Sequence, residues 1–321
     1  MWACPNLQST KELRRLTPLQ TAGVRRNITA DGGAGPPPGG HHDDRTPNPQ
    51  GTLPCGRVLS DHSTPSNALL RCRRPFAMGT FNACTVREEA RLAELAHCAE
   101  ERGVEILGIQ EHRRVHTDDR IVYRRVERWT FIIASAWRNE AQAATGGVGL
   151  MLGSLARKAL HLVYHHTDRI LIAEFSGNPV TTVIVVYSPT NVAPSEEVEK
   201  FYEDLATAVR DVPAHNFLAI LGDFNARLGP QDAPFTYHDS TNRNGEYLAA
   251  LLMEHKLLAA NTIFQKRTGK RWTFQDRATG MLRQLDYILV RQKWRNSILN
   301  AEPYSTFSSV GSDHRVVSMR V

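Results

Sequence analysis

From Arg74 onward, short apolar runs alternate with longer stretches whose apolar positions fall on one helical face, and the breaks between them are brief. Residues 76–81, 104–109, 131–135, 148–152, 171–175, 183–187, 217–222 and 284–290 have the length and apolarity of buried strands. Shorter strands are expected near Leu258 and Trp272, at 303–307 and at 316–321. Three stretches read as helices. In 87–102, Leu92, Leu95, Ala96 and Ala99 recur at i, i+3, i+4 and i+7 with charges opposite, and Gly103 ends the segment. Pro194 and Ser195-Glu196-Glu197 open a helix over 195–210, and a third covers 245–255. Strands outnumber helices and several follow one another with no room for a crossover, so the sheets cannot be all parallel. Two mixed sheets packed face to face, with helices outside, bury every apolar face of such a chain.

The chain ahead of this pattern differs. Residues 1–75 hold 10 of the 17 prolines and the run Gly32-Gly33-Ala34-Gly35-Pro36-Pro37-Pro38-Gly39-Gly40, and no period of 2 or 3.6 persists in them. They read as a disordered leader, and 76–321 as one compact domain of about 245 residues. The net charge of +6 invites a polyanionic partner, but the leader carries most of it, with 10 Lys+Arg against 5 Asp+Glu there and 29 against 28 in the rest. A nucleic-acid footprint on the domain must come from local patches. One patch is Arg113-Arg114 with Arg120, Arg124, Arg125 and Arg128; the other is Lys266-Arg267 with Lys270-Arg271, just before Trp272. The cysteines, Cys4, Cys55, Cys72, Cys84 and Cys98, are odd in number and form no CxxC pair. That argues against a disulfide framework or zinc site and for a reducing compartment. No basic-then-apolar signal and no apolar stretch near the ~18 residues of a membrane span are present, so the expectation is a soluble intracellular protein, compatible with the nucleus. Nothing in the pattern calls for a membrane or an obligate protein partner.

Polar side chains stand where the apolar runs end. Run 217–222 delivers Gly222-Asp223-Phe224-Asn225, run 104–109 empties into Gln110-Glu111, Asn82 follows 76–81, and Tyr187 closes 183–187. Asp286 lies inside 284–290, and Ser312-Asp313-His314 precedes the last strand. Strand ends deliver rigidly held side chains to solvent, so these residues are candidates for a single site. In order and spacing they resemble the endonuclease/exonuclease/phosphatase superfamily over about residues 76–321. The phrases Gly79-Thr80-Phe81-Asn82 and Gly108-Ile109-Gln110-Glu111-His112-Arg113 are most similar to the apurinic-type endonuclease domain of non-LTR retrotransposons.

The resemblance implies an α/β four-layer sandwich with these residues along one rim. It also implies an Mg²⁺-dependent phosphodiester hydrolase, with Mn²⁺ as a substitute, that nicks DNA and derives from a retrotransposon. A phosphodiester is anionic, so its catalyst must neutralise charge, activate a nucleophile and stabilise the leaving oxygen. Glu111, Asn82 and Asp313 would supply the hard oxygen ligands that Mg²⁺ takes. By likeness to the family, Asp223 would orient and deprotonate water and Asn225 would fix its geometry. His314, paired with Asp286, would donate to the phosphate, and Tyr187 would add a phenolic donor. Arg113, Arg114, Lys270, Arg271 and Trp272 are the expected substrate contacts.

Three positions depart from the family pattern: Phe81 stands where many relatives carry a Trp, Cys84 where they carry an acid, and Asn191 falls one place late after Tyr187-Ser188-Pro189. Two other readings stay open. One keeps the fold and acts on a lipid or nucleotide phosphoester; the other is a non-catalytic binding module from a domesticated element. The chain stops at the end of the last expected strand, as a fragment of a longer polyprotein or a standalone product would. Ser312-Asp313-His314 is not a serine triad, because neighbours in sequence cannot line up as nucleophile, base and orienter. Gly146-Gly147-Val148-Gly149 precedes a strand rather than opening a helix, so it reads as a turn and not a dinucleotide loop.

Overall fold

The computed structural model describes residues 68–70 and 74–321, so most of the expected leader lies outside the described residues. In chain order the elements are β1 (Ala77–Asn82), α1 (Glu89–Glu101), β2 (Val104–Gln110), β3 (Ile121–Val126), β4 (Trp129–Ala134), β5 (Trp137–Arg138), β6 (Ala144–Thr145) and β7 (Val148–Leu152). Next come α2 (Ser154–Ala159), β8 (Leu160–Thr167), β9 (Ile170–Phe175), β10 (Thr181–Tyr187), α3 (Ser195–Asp211), β11 (Phe217–Asp223) and α4 (Arg243–Glu254). The chain closes with β12 (Leu257–Ala259), β13 (Phe274–Gln275), β14 (Leu282–Arg283), β15 (Asp286–Arg291), β16 (Asn300–Tyr304) and β17 (Val316–Arg320).

Thirteen of the strands form two sheets, one of seven in the order β16-β17-β1-β2-β7-β4-β3 and one of six in the order β12-β15-β11-β10-β9-β8. Each sheet holds one parallel pair, β1 with β2 and β10 with β11, and each pair is linked by the helix that a parallel crossover requires. Alternation along the strands builds four layers. On β11, Phe217, Ala219 and Leu221 join Met78, Ile106 and Leu150 of the other sheet in one core. Leu218 and Ile220, on the opposite face, pack with Leu205 of α3 and Leu248 of α4. The seven-stranded sheet does the same outward, where Phe81, Leu107 and Ile109 meet Leu92 and Leu95 of α1. The sheets approach closely at Gly108, where an added Cβ would lie 3.0 Å from Leu221 Cβ and 3.3 Å from Val185.

Several expectations shift. Leu69 is buried in the inter-sheet core and donates its N–H to Ser176 O (2.8 Å), so packing begins ahead of the boundary expected at residue 76. The strand expected at 303–307 lies at Asn300–Tyr304, and that near Trp272 at Phe274–Gln275. β3 and β8 have no counterpart in the sequence reading. Both are sheet edges, and β3 exposes Tyr123, Arg124 and Arg125, since an edge strand needs no continuous apolar run. Helix α4 begins earlier than expected because the Asn242 side chain caps it, accepting from Gly245 N. Among the described residues no helix is long and apolar enough to cross a membrane.

Candidate active site

Strand direction gathers the polar ends. β1 and β2 finish together at Asn82 and Gln110, and β10 and β11 at Tyr187 and Asp223. Antiparallel β15 starts at Asp286, directly opposite Asp223, while β17, antiparallel to β1, starts two residues after His314. The two sheets are joined at this rim by Asn82 Nδ2, which donates to Asp223 Oδ2 at 2.9 Å.

Asp223 is buried, and its other oxygen accepts from Asn225 N (2.9 Å). His314 is also buried; its Nδ1 lies 2.9 Å from Asp286 Oδ2 and its Nε2 4.0 Å from Asp223 Oδ2. The Phe274 ring packs on the imidazole with centroids 4.9 Å apart. Burial alone would strip the proton from His314, but the Asp286 carboxylate, aided by Asp223 and Asp313, outweighs it and raises the imidazole to about 9. Burial, then Asp286, pushes the Asp223 carboxyl up, against the opposing pull of His314, Asn82 and Asn225. One oxygen of Asp286 is buried with no partner among the described residues.

Ser312 is a strap: its hydroxyl donates to Asn82 O (2.6 Å) and accepts from His314 N (3.0 Å), tying the ends of β1 and β17. Cys84 also bridges. Its N–H donates to Asn82 Oδ1 (3.0 Å) and its Sγ–H to Asp313 Oδ1 (2.7 Å), with burial and then Asp313 pushing the thiol up to about 12. Glu111 follows β2, with Oε1 2.5 Å from Arg113 Nη2. Burial, then the Glu111 and Asp223 carboxylates, raise the Tyr187 phenol above its ordinary value. Cys84, Glu111, Arg113 and Asn225 all hold left-handed φ values, of 55°, 57°, 57° and 48°. Backbone strain of this kind collects where a fold over-determines a functional constellation.

Other expected residues take different work. Asn82, expected as a metal ligand through its oxygen, has a further contact: its amide nitrogen holds Asp223 while Oδ1 accepts from Cys84 N. Arg114, expected on substrate, is instead a loop tie: Nε donates to Val86 O and Nη1 pairs with Glu89. Arg271 is likewise committed, to Lys266 O and Thr236 O. Trp272 lies beneath the Arg315 guanidinium, 3.2 Å from the ring centroid, whereas Lys270 is exposed and Arg113 is partly so. Asn191 accepts from Asn244 N in the first turn of α4, a loop contact. Sequence reasoning missed Arg169, whose Nη1 donates to Tyr187 O (3.3 Å) and whose Nη2 pairs with Glu197 (2.6 Å). It missed Trp137 too, which stacks on Tyr187. Neither residue sits at the end of an apolar run of strand length, so no local signal marked them. Asp223, Asp286 and His314 offer ligand atoms within 4.8 Å of one another, a grouping able to hold a metal ion.

A four-layer sandwich carrying a buried imidazolium between two carboxylates on its rim is the framework of a nuclease- or phosphatase-type hydrolase. The chain belongs to the Endonuclease/Exonuclease/phosphatase family, whose model matches residues 79–314. Among curated proteins it is 28% identical over 272 residues to Craniofacial development protein 2 of Bos taurus, covering 82% of this chain and 43% of that one. The chain thus spans less than half the length of that relative. Among solved structures it is similar to the AP endonuclease LMAP from Leishmania major (TM-score 0.61, 13% identity, 77% of this chain and 88% of that one). It is also similar to the endonuclease domain of TRAS1, a telomere-specific non-LTR retrotransposon (TM-score 0.54, 17% identity, 77% and 98%). At these identities the likeness is one of fold.

Proposed function

We propose that this chain is an Mg²⁺-dependent endonuclease that nicks DNA by hydrolysing a phosphodiester, and that it derives from a retrotransposon. The observation that carries the reading is the network Asn82–Asp223–His314–Asp286, in which one carboxylate is held by two N–H donors beside an imidazole that its partner keeps charged. Asp223, its proton affinity raised by burial, is the base that takes a proton from water, within the span of a catalytic carboxyl tuned toward neutral pH. His314 donates to the phosphate from the other side, and Tyr187 adds a phenolic donor.

Mg²⁺ fits the oxygen-only set of Glu111, Asn82 and Asp313. Cys84 bonds to both Asn82 and Asp313, drawing two of those side chains to one corner, and Glu111 uses only Oε1 on Arg113. The bound ion would neutralise phosphate charge and ease departure of the leaving oxygen. We assign Asp223, Asp286 and His314 to proton handling, because Asp286 already engages the imidazole and Mg²⁺ favours oxygen. DNA as substrate is supported by the nucleases of similar fold, by the exposed Lys270 of one basic loop, and by Arg113 of the other, which is partly exposed although paired with Glu111. The retrotransposon origin is supported by the TRAS1 likeness and by the phrases around Asn82 and Glu111. The test is conversion of supercoiled plasmid to open circles by the full chain with Mg²⁺. Nicking that chelation stops and Asp223→Asn reduces is expected; plasmid left supercoiled refutes the reading.

A further inference from the structure

The paired glycines ahead of β7 do more than turn the chain. Gly146 and Gly147 hold φ values of 66° and 94°, and their carbonyls accept the N–H groups of Arg113 and Glu111, each at 2.9 Å. Neither position has room for a side chain. A Cβ on Gly146 would fall 2.1 Å from the Trp137 ring, and one on Gly147 2.4 Å from the ring of His112. Trp137 is therefore seated on the backbone that fixes the Glu111 loop. It is also in ring contact with Tyr187, stacked with centroids 6.3 Å apart and planes 29° apart. The Arg169 guanidinium completes a triangle, 4.6 Å from the Trp137 centroid and 5.8 Å from that of Tyr187. Arg169 is itself anchored by the Tyr187 carbonyl and by Glu197. The Tyr187 hydroxyl forms no hydrogen bond among the described residues, so the ring is aimed through its faces and not through its oxygen.

We propose that Trp137, seated on Gly146 and stacked against Tyr187 and Arg169, is a positioning residue that aims the Tyr187 hydroxyl at the scissile phosphate and keeps it in register with the Glu111 loop. The inference rests on the phosphodiesterase reading above. Aromatic and cation contacts of this kind have preferred geometries, so together they favour one ring orientation on the sheet rim. Misaiming a donor in a transition state costs far more than losing the contact, because an error near 1 Å can slow a reaction about 10²-fold.

The test uses the full chain with Mg²⁺ and supercoiled plasmid, and it compares Trp137→Leu, Trp137→Phe and Gly146→Ala. In Trp137→Leu, kcat falls by about tenfold to a hundredfold while KM changes by less than about threefold, because alignment is lost and binding is not. Trp137→Phe keeps an aromatic face and recovers most of the loss. Gly146→Ala drives a methyl group into the ring from the other side and reproduces the kcat defect. Fluorotyrosine incorporated into the protein gives a ¹⁹F signal for Tyr187, assigned by its absence in Tyr187→Phe. That signal moves in Trp137→Leu and returns in Trp137→Phe. An unchanged kcat and ¹⁹F position in Trp137→Leu would overturn the proposal, as would equal losses in the Leu and Phe variants. If the wild type nicks nothing, the functional reading fails on its own account, and the ¹⁹F comparison still decides whether Trp137 fixes the ring.

Discussion

Asp286→Asn isolates the charge on His314 with little change in shape. In the wild type the Nδ1–Oδ2 distance is 2.9 Å and both side chains are nearly inaccessible, at 6% and 0% exposure. The imidazole is raised from 6.5 to about 9, which corresponds to roughly 3 kcal/mol in favour of the imidazolium. With the carboxylate gone, the burial that opposes the charge remains and only Asp223 and Asp313 work against it, so the imidazole falls from its raised value. At pH 7.5 His314 then passes from almost wholly protonated to a larger neutral fraction. If the imidazolium stabilises charge on the phosphate, its loss costs about 10²-fold to 10³-fold in rate, the range for a single oriented donor. Plasmid nicking at pH 7.5 reads the rate, and ¹⁵N NMR of the imidazole reads the proton. The variant's deficit should narrow toward pH 6 as His314 regains its proton. The linkage to stability has a definite sign. A raised histidine contributes stability that is fully present below pH 6.5 and is lost as pH rises through 9, so wild type loses this increment in that window and Asp286→Asn does not. Nicking within threefold of wild type by a variant whose His314 is neutral would refute the role given to the charge.

Other consequences are open to measurement. Asp223→Asn keeps an acceptor oxygen for only one of Asn82 and Asn225, turns an amide nitrogen on the other N–H, and removes the base, so kcat should drop by about 10²-fold to 10⁴-fold with a loss of melting temperature from the one broken hydrogen bond; an unaltered kcat would exclude Asp223 as the base. His112 is buried between Arg114 N and Val148 O, and burial depresses it to about 4, so it stays neutral in the fold while the unfolded chain takes up a proton below 6.5. Stability is therefore lost as pH falls from 6.5 toward 4, by about 2 kcal/mol at pH 5, and denaturant titrations at pH 7.5 and 5 should show that increment in wild type and not in His112→Gln. Gly108→Val forces side-chain atoms against Leu221 and Val185 of the other sheet and should cost at least about 1–3 kcal/mol, which thermal melting would register.

The strands of the inner core were plain in the sequence because burial on both faces leaves an unbroken apolar run: 148–152 coincides with β7, and 217–222 falls one residue short of β11. The edges were not, since β3 is half arginine and tyrosine and β8 is interleaved with histidines. The rim shows the same division. Every polar residue at a strand end was recognisable, and Asn82, Asp223, Asp286 and His314 do meet. Which of them holds which was hidden, because it depends on the register of one sheet against the other. Thus Asn82 proved to hold Asp223, Ser312 to strap two strands, and Arg114 and Arg271 to tie loops in place of staying free. Trp137 and Arg169 act across space on a residue at least 18 positions away, and no local pattern announces such a contact.

Nicking carried out in ¹⁸O-labelled water, with the released phosphate ends read by mass spectrometry, addresses the claim that water activated at this rim breaks a phosphodiester. One ¹⁸O per break in wild type, and few breaks in Asp223→Asn, is the result expected. Breaks whose phosphate carries no label, or label undiminished in Asp223→Asn, would contradict it.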